Sequence, residues 1–467
     1  MLILFPNKQA KLHTKNITFQ QANIQPSEAI LSPKHSWEVP RINMYGSVIK
    51  LDQGYEMFYQ CGNALRIGYA YSEDGLVWER PLINATDLSA KAHDIILNNY
   101  AQSISENSYS EGYEVTNLIA GYHMPSILYE PDSDKPYKIF AFGEGGYRIL
   151  YSSNGKQFTE YTNNPAIELL SYQNPVTQKY WCSDVSPCFV DKGVYHAMVK
   201  TYELDDQQRT RRCIGHAQSY DFESWSEVKT AWIPGIEEDE IAKARGYHWA
   251  DFYGLCPFRY GDIFLAYLWL FEIDHELPNG THLGKIEVFL AYSDDGLSWQ
   301  RLSDEPLIPW DLNFGEDGGM VTTPSAPVFD DNEIKLYYSD SNYEHGFTEK
   351  DYTKQLSAPT WVVRCAQLKK ERLVGAYSEY GEIMLNVSSV DFNAIRLNID
   401  CLAGVVILNI QQNNIKLFEK VIENEDRVDF ICRVQDELQS YEGKALTMTL
   451  SIKMATVFAI EFIKSNF

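Results

Sequence analysis

The stretch Tyr71–Arg80 reads YSEDGLVWER, and its pattern returns as YSSNGKQFTE at Tyr151–Glu160, SYDFESWSE at Ser219–Glu227 and YSDDGLSWQR at Tyr292–Arg301. In every copy a serine is followed two residues on by Asp or Asn and six residues on by an aromatic: Ser72, Asp74 and Trp78; Ser152, Asn154 and Phe158; Ser219, Asp221 and Trp225; Ser293, Asp295 and Trp299. The spacing predicts a hairpin turn. Ser and Asp side chains cap nearby backbone amides, Gly accepts positive φ, and the aromatic opens the next strand by packing inward.

Before these turns lies a second recurrent unit, an apolar strand, a short polar turn and an aromatic strand. It occurs five times, as GSVIKLDQGYEMFYQ, PSILYEPDSDKPYKIFAFG, SPCFVDKGVYHAMVK, LCPFRYGDIFLAYLW and SAPVFDDNEIKLYYSD. The copies start roughly 60–80 residues apart, longer than the usual propeller repeat of ~40–50 residues, so long insertions separate strands. A unit of about four short strands repeated this way predicts an all-β chain built on a five-bladed β-propeller. A β-sandwich with similar hairpins is the competing architecture. After residue 370 the phrase disappears and strands alternate apolar and polar residues, as in GEIMLNVSSVDFNAIRLNID, which suits a C-terminal β-sandwich. The expected units are a propeller over 1–369, with 1–38 as an irregular lead-in or a strand closing the ring, and a sandwich over 370–467.

Composition narrows the chemistry. The 467 residues carry 31 Tyr, 22 Phe and 10 Trp, and these residue types favour strands. A formal charge of −24 argues against nucleic-acid partners, which require Lys and Arg clusters that displace counterions. Eight scattered cysteines form no CxxC pair, so neither zinc nor thioredoxin-like chemistry is indicated. MLILFPNKQAKLHTK is too short in its apolar run for a secretory leader, and no run of about 18 apolar residues follows. The expectation is a cytoplasmic monomer or homodimer with no membrane association and reduced, largely buried thiols.

A propeller's inner strands converge on one channel, so acid–base residues are sought where those strands begin. The segments EVPRINMYG, GYHMP, YWCSDVSP, RGYHWADFYG and NFGEDGGMVTTP offer Arg41 and Asn43, His123, Asp184, Asp251, and Glu316 with Asp317. Cleaving a glycosidic bond takes two carboxyl groups, one protonated for the leaving oxygen and one serving as nucleophile or base. Crowding carboxylates in a funnel raises one of their pKa values. Trp181, Trp249 and Tyr253 would provide apolar platforms for sugar rings, and Arg41, Arg245, His123, His248 and Glu144 polar contacts. Each has a structural alternative: Asp184 as a turn cap, Glu316 and Asp317 as loop residues before Gly318, the histidines as satisfied imidazoles. No cofactor is expected, although the same acids suit a structural Ca2+ in the channel.

NMYGSVIKLDQGYEMFYQ resembles the first blade of glycoside hydrolase family 32, within the five-bladed group that includes families 43 and 68. Gly46 and the Phe58-Tyr59-Gln60 ending match that pattern; Asn43 stands where the family has its nucleophilic Asp, and Met44 replaces its Pro. The family's Arg-Asp-Pro motif falls near Ser186-Pro187, with Asp184 two residues early, and its Glu-Cys-Pro motif aligns with Leu255-Cys256-Pro257. The resemblance implies the five-bladed fold, and the family's nucleophile does not carry over. The acids at the strand starts give the leading reading, an exo-acting glycoside hydrolase on short oligosaccharides with Asp184 as base or nucleophile, Asp251 as acid and Glu316 or Asp317 as a third carboxylate. The alternatives are a glycoside phosphorylase of related fold, with Arg41, Arg245 and the run Arg209-Thr210-Arg211-Arg212 serving as its phosphate pocket, and a non-catalytic carbohydrate-binding propeller.

Overall fold

The computed structural model describes residues 2–3, 12–39, 41–62, 66–83, 116–168, 184–277, 281–346, 360–388 and 390–464. Antiparallel strands dominate. The first sheet is Ile42–Leu51, Gly54–Cys61, Arg66–Ser72 and Leu118–Ala120; the second is His123–Tyr129, Tyr137–Gly143, Gly146–Ser152 and Thr159–Glu160. The third comprises Cys188–Asp191, Val194–Leu204, Thr210–Ser219 and Lys229–Trp232. A nine-stranded sheet follows, whose two halves meet through a single parallel pair, Ile286 with Met320. One half is Trp249–Tyr260, Ile263–Glu276, His282–Ser293 and Gln300–Arg301. In the other, Met320–Thr322 and Val328–Phe329 flank Glu333–Ser341, which pairs with Trp361–Lys369. These three sheets and the two halves of the nine-stranded one are numbered first to fifth in sequence order.

The recurrent turn explains how these sheets meet. Ser72 Oγ accepts the Gly75 N–H at 2.8 Å, and Asp74 Oδ1 accepts those of Leu76 and Val77 at 2.8 and 2.9 Å. Asn154 and Asp295 hold their turns in the same way. In the third copy Phe222 replaces Gly and adopts φ +69°. Its buried ring, 5.0 Å from Tyr195 and 5.8 Å from Trp225, offsets that backbone cost. The phrase's aromatic lands on the preceding sheet: Phe158 on Phe58, Trp225 on Phe140, and Trp299 in a cluster with Phe189. Trp78 of the first sheet packs on Tyr337 of the fifth, with ring centroids 6.0 Å apart. First strands also touch: Ser325 Oγ lies 2.9 Å from Ser126 Oγ and 3.2 Å from Ser47 Oγ.

Two further sheets face each other beyond residue 370. One runs Thr18–Gln21, Val374–Ser378, Ala455–Ile463, Ala394–Asp400 and Asp426–Arg433; the other runs Leu12–Lys15, Gly381–Val387, Leu446–Lys453, Val405–Gln412 and Ile415–Glu423. Leu446–Lys453 alternates buried and partly exposed residues along its length, which is the period of a strand with one face in a core. Ile383, Leu397, Val406, Leu450 and Val457 fill the space between the sheets. This corrects the expectation for 1–38. Leu12–Lys15 and Thr18–Gln21 are strands of the C-terminal sheets, and only Ala29–Leu31 adds to the fifth sheet, beside Trp361–Lys369. Seven cysteines lie among the described residues, all buried and unbridged; Cys182 lies outside them. No described helix is long and apolar enough to cross a membrane.

Candidate active site

A narrow cleft is lined by Tyr45, Met124, Val185, Cys256 and Thr323, one residue from or beside the first strand of each of the five sheets. Next to it, a polar cluster gathers round the buried Tyr253. Strand alternation places Lys200 and Tyr202 on one face, and Arg212, which pairs with Tyr202 across the hairpin, joins them. Lys200 Nζ lies 5.1 Å from the Tyr253 ring centroid and forms an ion pair with Asp184. His123 Nε2 is 3.7 Å from Asp184 Oδ2. Burial disfavours the Asp184 charge, but Lys200 and His123 outweigh it and hold the carboxyl well below the usual carboxylate range. Lys200 remains charged for the reciprocal reason: burial acts against it and Asp184 prevails.

Across the cluster, Asp251 is fully buried. Its Oδ1 accepts the Arg211 Nε–H at 2.9 Å, and its Oδ2 lies 3.6 Å from Arg212 Nη1. Burial is the leading influence and pushes the Asp251 pKa up, against Arg212 and Arg211. Arg211 is nearly inaccessible and also donates to Asp239 and Asp205, which ties the helix Ile236–Ala244 and the 205–209 turn to the strand carrying Asp251. Arg212 Nη1 donates to His282 Nδ1 at 2.6 Å, and its guanidinium sits 5.0 Å from the Phe271 ring centroid. Burial and Arg212 hold the His282 pKa down at about 3, so its imidazole is neutral and Nδ1 is an acceptor. His345 packs against Phe271 and Tyr253 and is likewise neutral, its pKa lowered to about 3 chiefly by burial.

Arg41 completes the cluster from the first sheet. Its guanidinium lies 5.2 Å from the Trp361 ring centroid, and Tyr343, Tyr45 and Tyr253 raise its pKa against burial. Tyr45, itself buried, neighbours His123, Trp269 and Trp361. The result is a half-buried cup with aromatic walls, the carboxylate of Asp184 and the cations Arg41, Lys200 and Arg212.

Of the residues singled out from sequence, Arg41, His123, Asp184, Asp251 and Tyr253 meet here. Trp249 stands at the edge, its ring 5.6 Å from that of His282. Asn43 is buried, with neither amide atom hydrogen bonded. The others lie elsewhere. Glu316 and Asp317 are exposed on a short 3-10 turn, where Lys285 Nζ bonds only the Glu316 carbonyl, at 3.2 Å. Glu144 is exposed at a hairpin tip, and His248 is exposed beside the strand it precedes. Arg245 pairs with the buried Glu272 and Glu287. Trp181 lies outside the described residues. Among the described residues, no group of three or more His, Cys, Asp or Glu is arranged to hold a metal ion, and the acids nearest the cup are already paired with Lys and Arg.

No protein-family model and no curated protein matches the chain. Solved structures to which it is similar include glycoside hydrolase and phosphorylase structures of the family 32, 43 and 130 types. A family 32 β-fructofuranosidase of Bombyx mori is 10% identical over 96% of this chain and 94% of that one, with a TM-score of 0.38. A glycosyl hydrolase from Bacteroides ovatus is 14% identical over 76% and 96%, with a TM-score of 0.45. A thermostable family-43 glycoside hydrolase is 13% identical over 72% and 95%, with a TM-score of 0.44.

Lys200, His282, Tyr343 and His345 are not singled out from sequence, and Arg212 is named only within the run Arg209–Arg212, as part of a phosphate pocket. Lys200 stands in mid-strand rather than at a strand's start, and only the pairing of Tyr202 with Arg212 brings Arg212 to the same face.

Proposed function

We propose that the five sheets form a five-bladed propeller, and that its axial cup cleaves glycosidic bonds of short oligosaccharides from one end. The observation that carries this reading is that Asp184 and Asp251, both within the electrostatic reach of Arg212, have ionisation driven in opposite directions by their surroundings. Two carboxyl groups pushed apart in this way are the assignment of a base or nucleophile and an acid. Asp184, held ionised by Lys200 and His123, attacks or activates water; Asp251, which burial drives toward its protonated form, supplies the proton to the leaving oxygen. Tyr253, Phe271 and Trp361 give the sugar ring apolar walls.

The test uses matched pairs of substrates, short glycans and aryl glycosides with acidic leaving groups. Asp184→Asn should lose at least about 100-fold on both. Asp251→Asn should lose as much on glycans yet retain most activity on the aryl glycosides, whose leaving group needs no proton. Near-wild-type rates on glycans in both variants would remove the assignment.

A further inference from the structure

We infer that the cup selects a sugar bearing a carboxylate, and that Arg41 and Arg212 grip that group. This rests on reading the cup as the glycan site. Its charge balance is the reason. Arg41, Lys200 and Arg212 all converge on Tyr253, in a chain whose formal charge is −24. The carboxyl groups present are already engaged: Asp184 by Lys200, and Asp251 by Arg211. The neighbouring Asp205 and Asp239 are bound by Arg209 and Arg211. A neutral glycan would leave the cup with an uncompensated cation, a costly arrangement away from bulk water.

The hydrogen-bond inventory agrees. The Nε atoms of Arg41 and Arg212 are buried and have no hydrogen-bond partner. Each guanidinium also rests on an aromatic face, Trp361 and Phe271 respectively, which fixes its plane. Arg212 gives Nη1 to His282 and Arg41 bonds Tyr343, so it is the Nε side of each that is left for a ligand. A planar carboxylate matches such an edge with two parallel bonds. Two arginines reaching the cup from the first and third sheets would hold that group from two sides.

The experiment is a binding titration of the full-length protein, followed by calorimetry or by the fluorescence of the cup's tryptophans. The probes are D-glucuronate and D-galacturonate, each beside its methyl ester and its parent hexose. One uronate should bind about tenfold or more tightly than its ester, the size expected for charge-assisted bonds. The preference should shrink as NaCl rises from about 0.05 M to about 0.5 M. Arg212→Gln and Arg41→Gln should each cut it to about parity, while binding of the ester changes little. Equal affinity of uronates and esters in the wild-type protein overturns the inference, whatever the variants do. So does inorganic phosphate that competes with the uronate at similar affinity and is required for turnover of neutral glycosides, because the cations would then serve a co-substrate. No turnover is read in the titration. Absence of hydrolysis would therefore remove the proposed activity and leave this selectivity standing, while parity would do the reverse.

Discussion

Arg211 donates its Nε–H to Asp251 at 2.9 Å with both side chains sealed from water, and the same guanidinium bonds Asp239 on the helix Ile236–Ala244 at 2.8 Å. A buried pair contributes little when whole, but removing one member strands the other. Arg211→Met should therefore lower stability by about 3–5 kcal/mol, read as a drop in the urea midpoint. Replacing Arg209, which bonds the same two turn and helix carboxylates from a more exposed position, should cost much less. Equal costs would mean that the network is not organised round Arg211.

Lys200 sets the ionisation of Asp184. With Lys200 present the carboxyl stays ionised below the usual carboxylate range, so the pair's stabilisation is complete above about pH 4 and fades as acid protonates Asp184. If Asp184 is the base, the acid limb of kcat/KM lies below about pH 4. Lys200→Met leaves burial unopposed by its main partner, and the limb should move upward by at least about one pH unit. A pH–rate profile whose acid limb stays in place in that variant would show that Asp184 is not the group being read.

Glu272 gives the opposite sign. It is buried beside Glu287 and shares Arg245 with it, and burial, opposed by Arg245, raises its pKa to about 7. A raised carboxyl favours the folded protein below its unfolded value and loses that advantage as pH climbs through the folded value. Wild-type stability should thus fall between about pH 4.5 and pH 7.5, by up to about 3 kcal/mol. Glu272→Gln should flatten that slope in denaturant titrations across the range. An unchanged slope would place the titration on another group.

The turn phrase carries a steric prediction. Gly75 and Gly193 both hold positive φ, +77° and +79°. A Cβ at Gly75 would lie 2.6 Å from Tyr337 Oη, whereas one at Gly193 meets nothing within 4 Å. Gly193→Ala should cost about 1–2 kcal/mol from backbone strain alone. Gly75→Ala should cost at least about 1 kcal/mol more, because Trp78, Tyr337 and the turn must shift together. Thermal midpoints of the two variants measure the difference directly.

What was readable in the sequence was whatever local chemistry dictates. The Ser-x-Asp-x-x-x-Trp phrase encodes a turn whose partners all lie within a few residues, so the hairpins and their recurrence could be read without coordinates. Asp184 and Asp251 were visible because an acid among aromatic and apolar residues is costly unless it has a partner. The partners themselves were not visible. Arg211 and Lys200 reach their acids through pairing with sequence-distant strands, and nothing local marks which face they take. Glu316 and Asp317 misled for the converse reason. Acidic residues before two glycines suit a channel mouth and an exposed turn equally well, and the turn is what forms. Leu12–Lys15 carries too little apolar signal to announce that it joins strands at the far end of the chain.

That last pairing governs when the protein can finish folding. Leu12 stands opposite Leu385, and Ala29 opposite Arg364, so these two strands have no edge to join until strands far along the chain have been made. Meanwhile they present unsatisfied backbone to solvent and to other nascent chains. Assembly of those layers therefore requires a long loop to close, and closure slows as the loop lengthens. Relocating residues 12–31 behind residue 464 would shorten those separations severalfold and ease the closure.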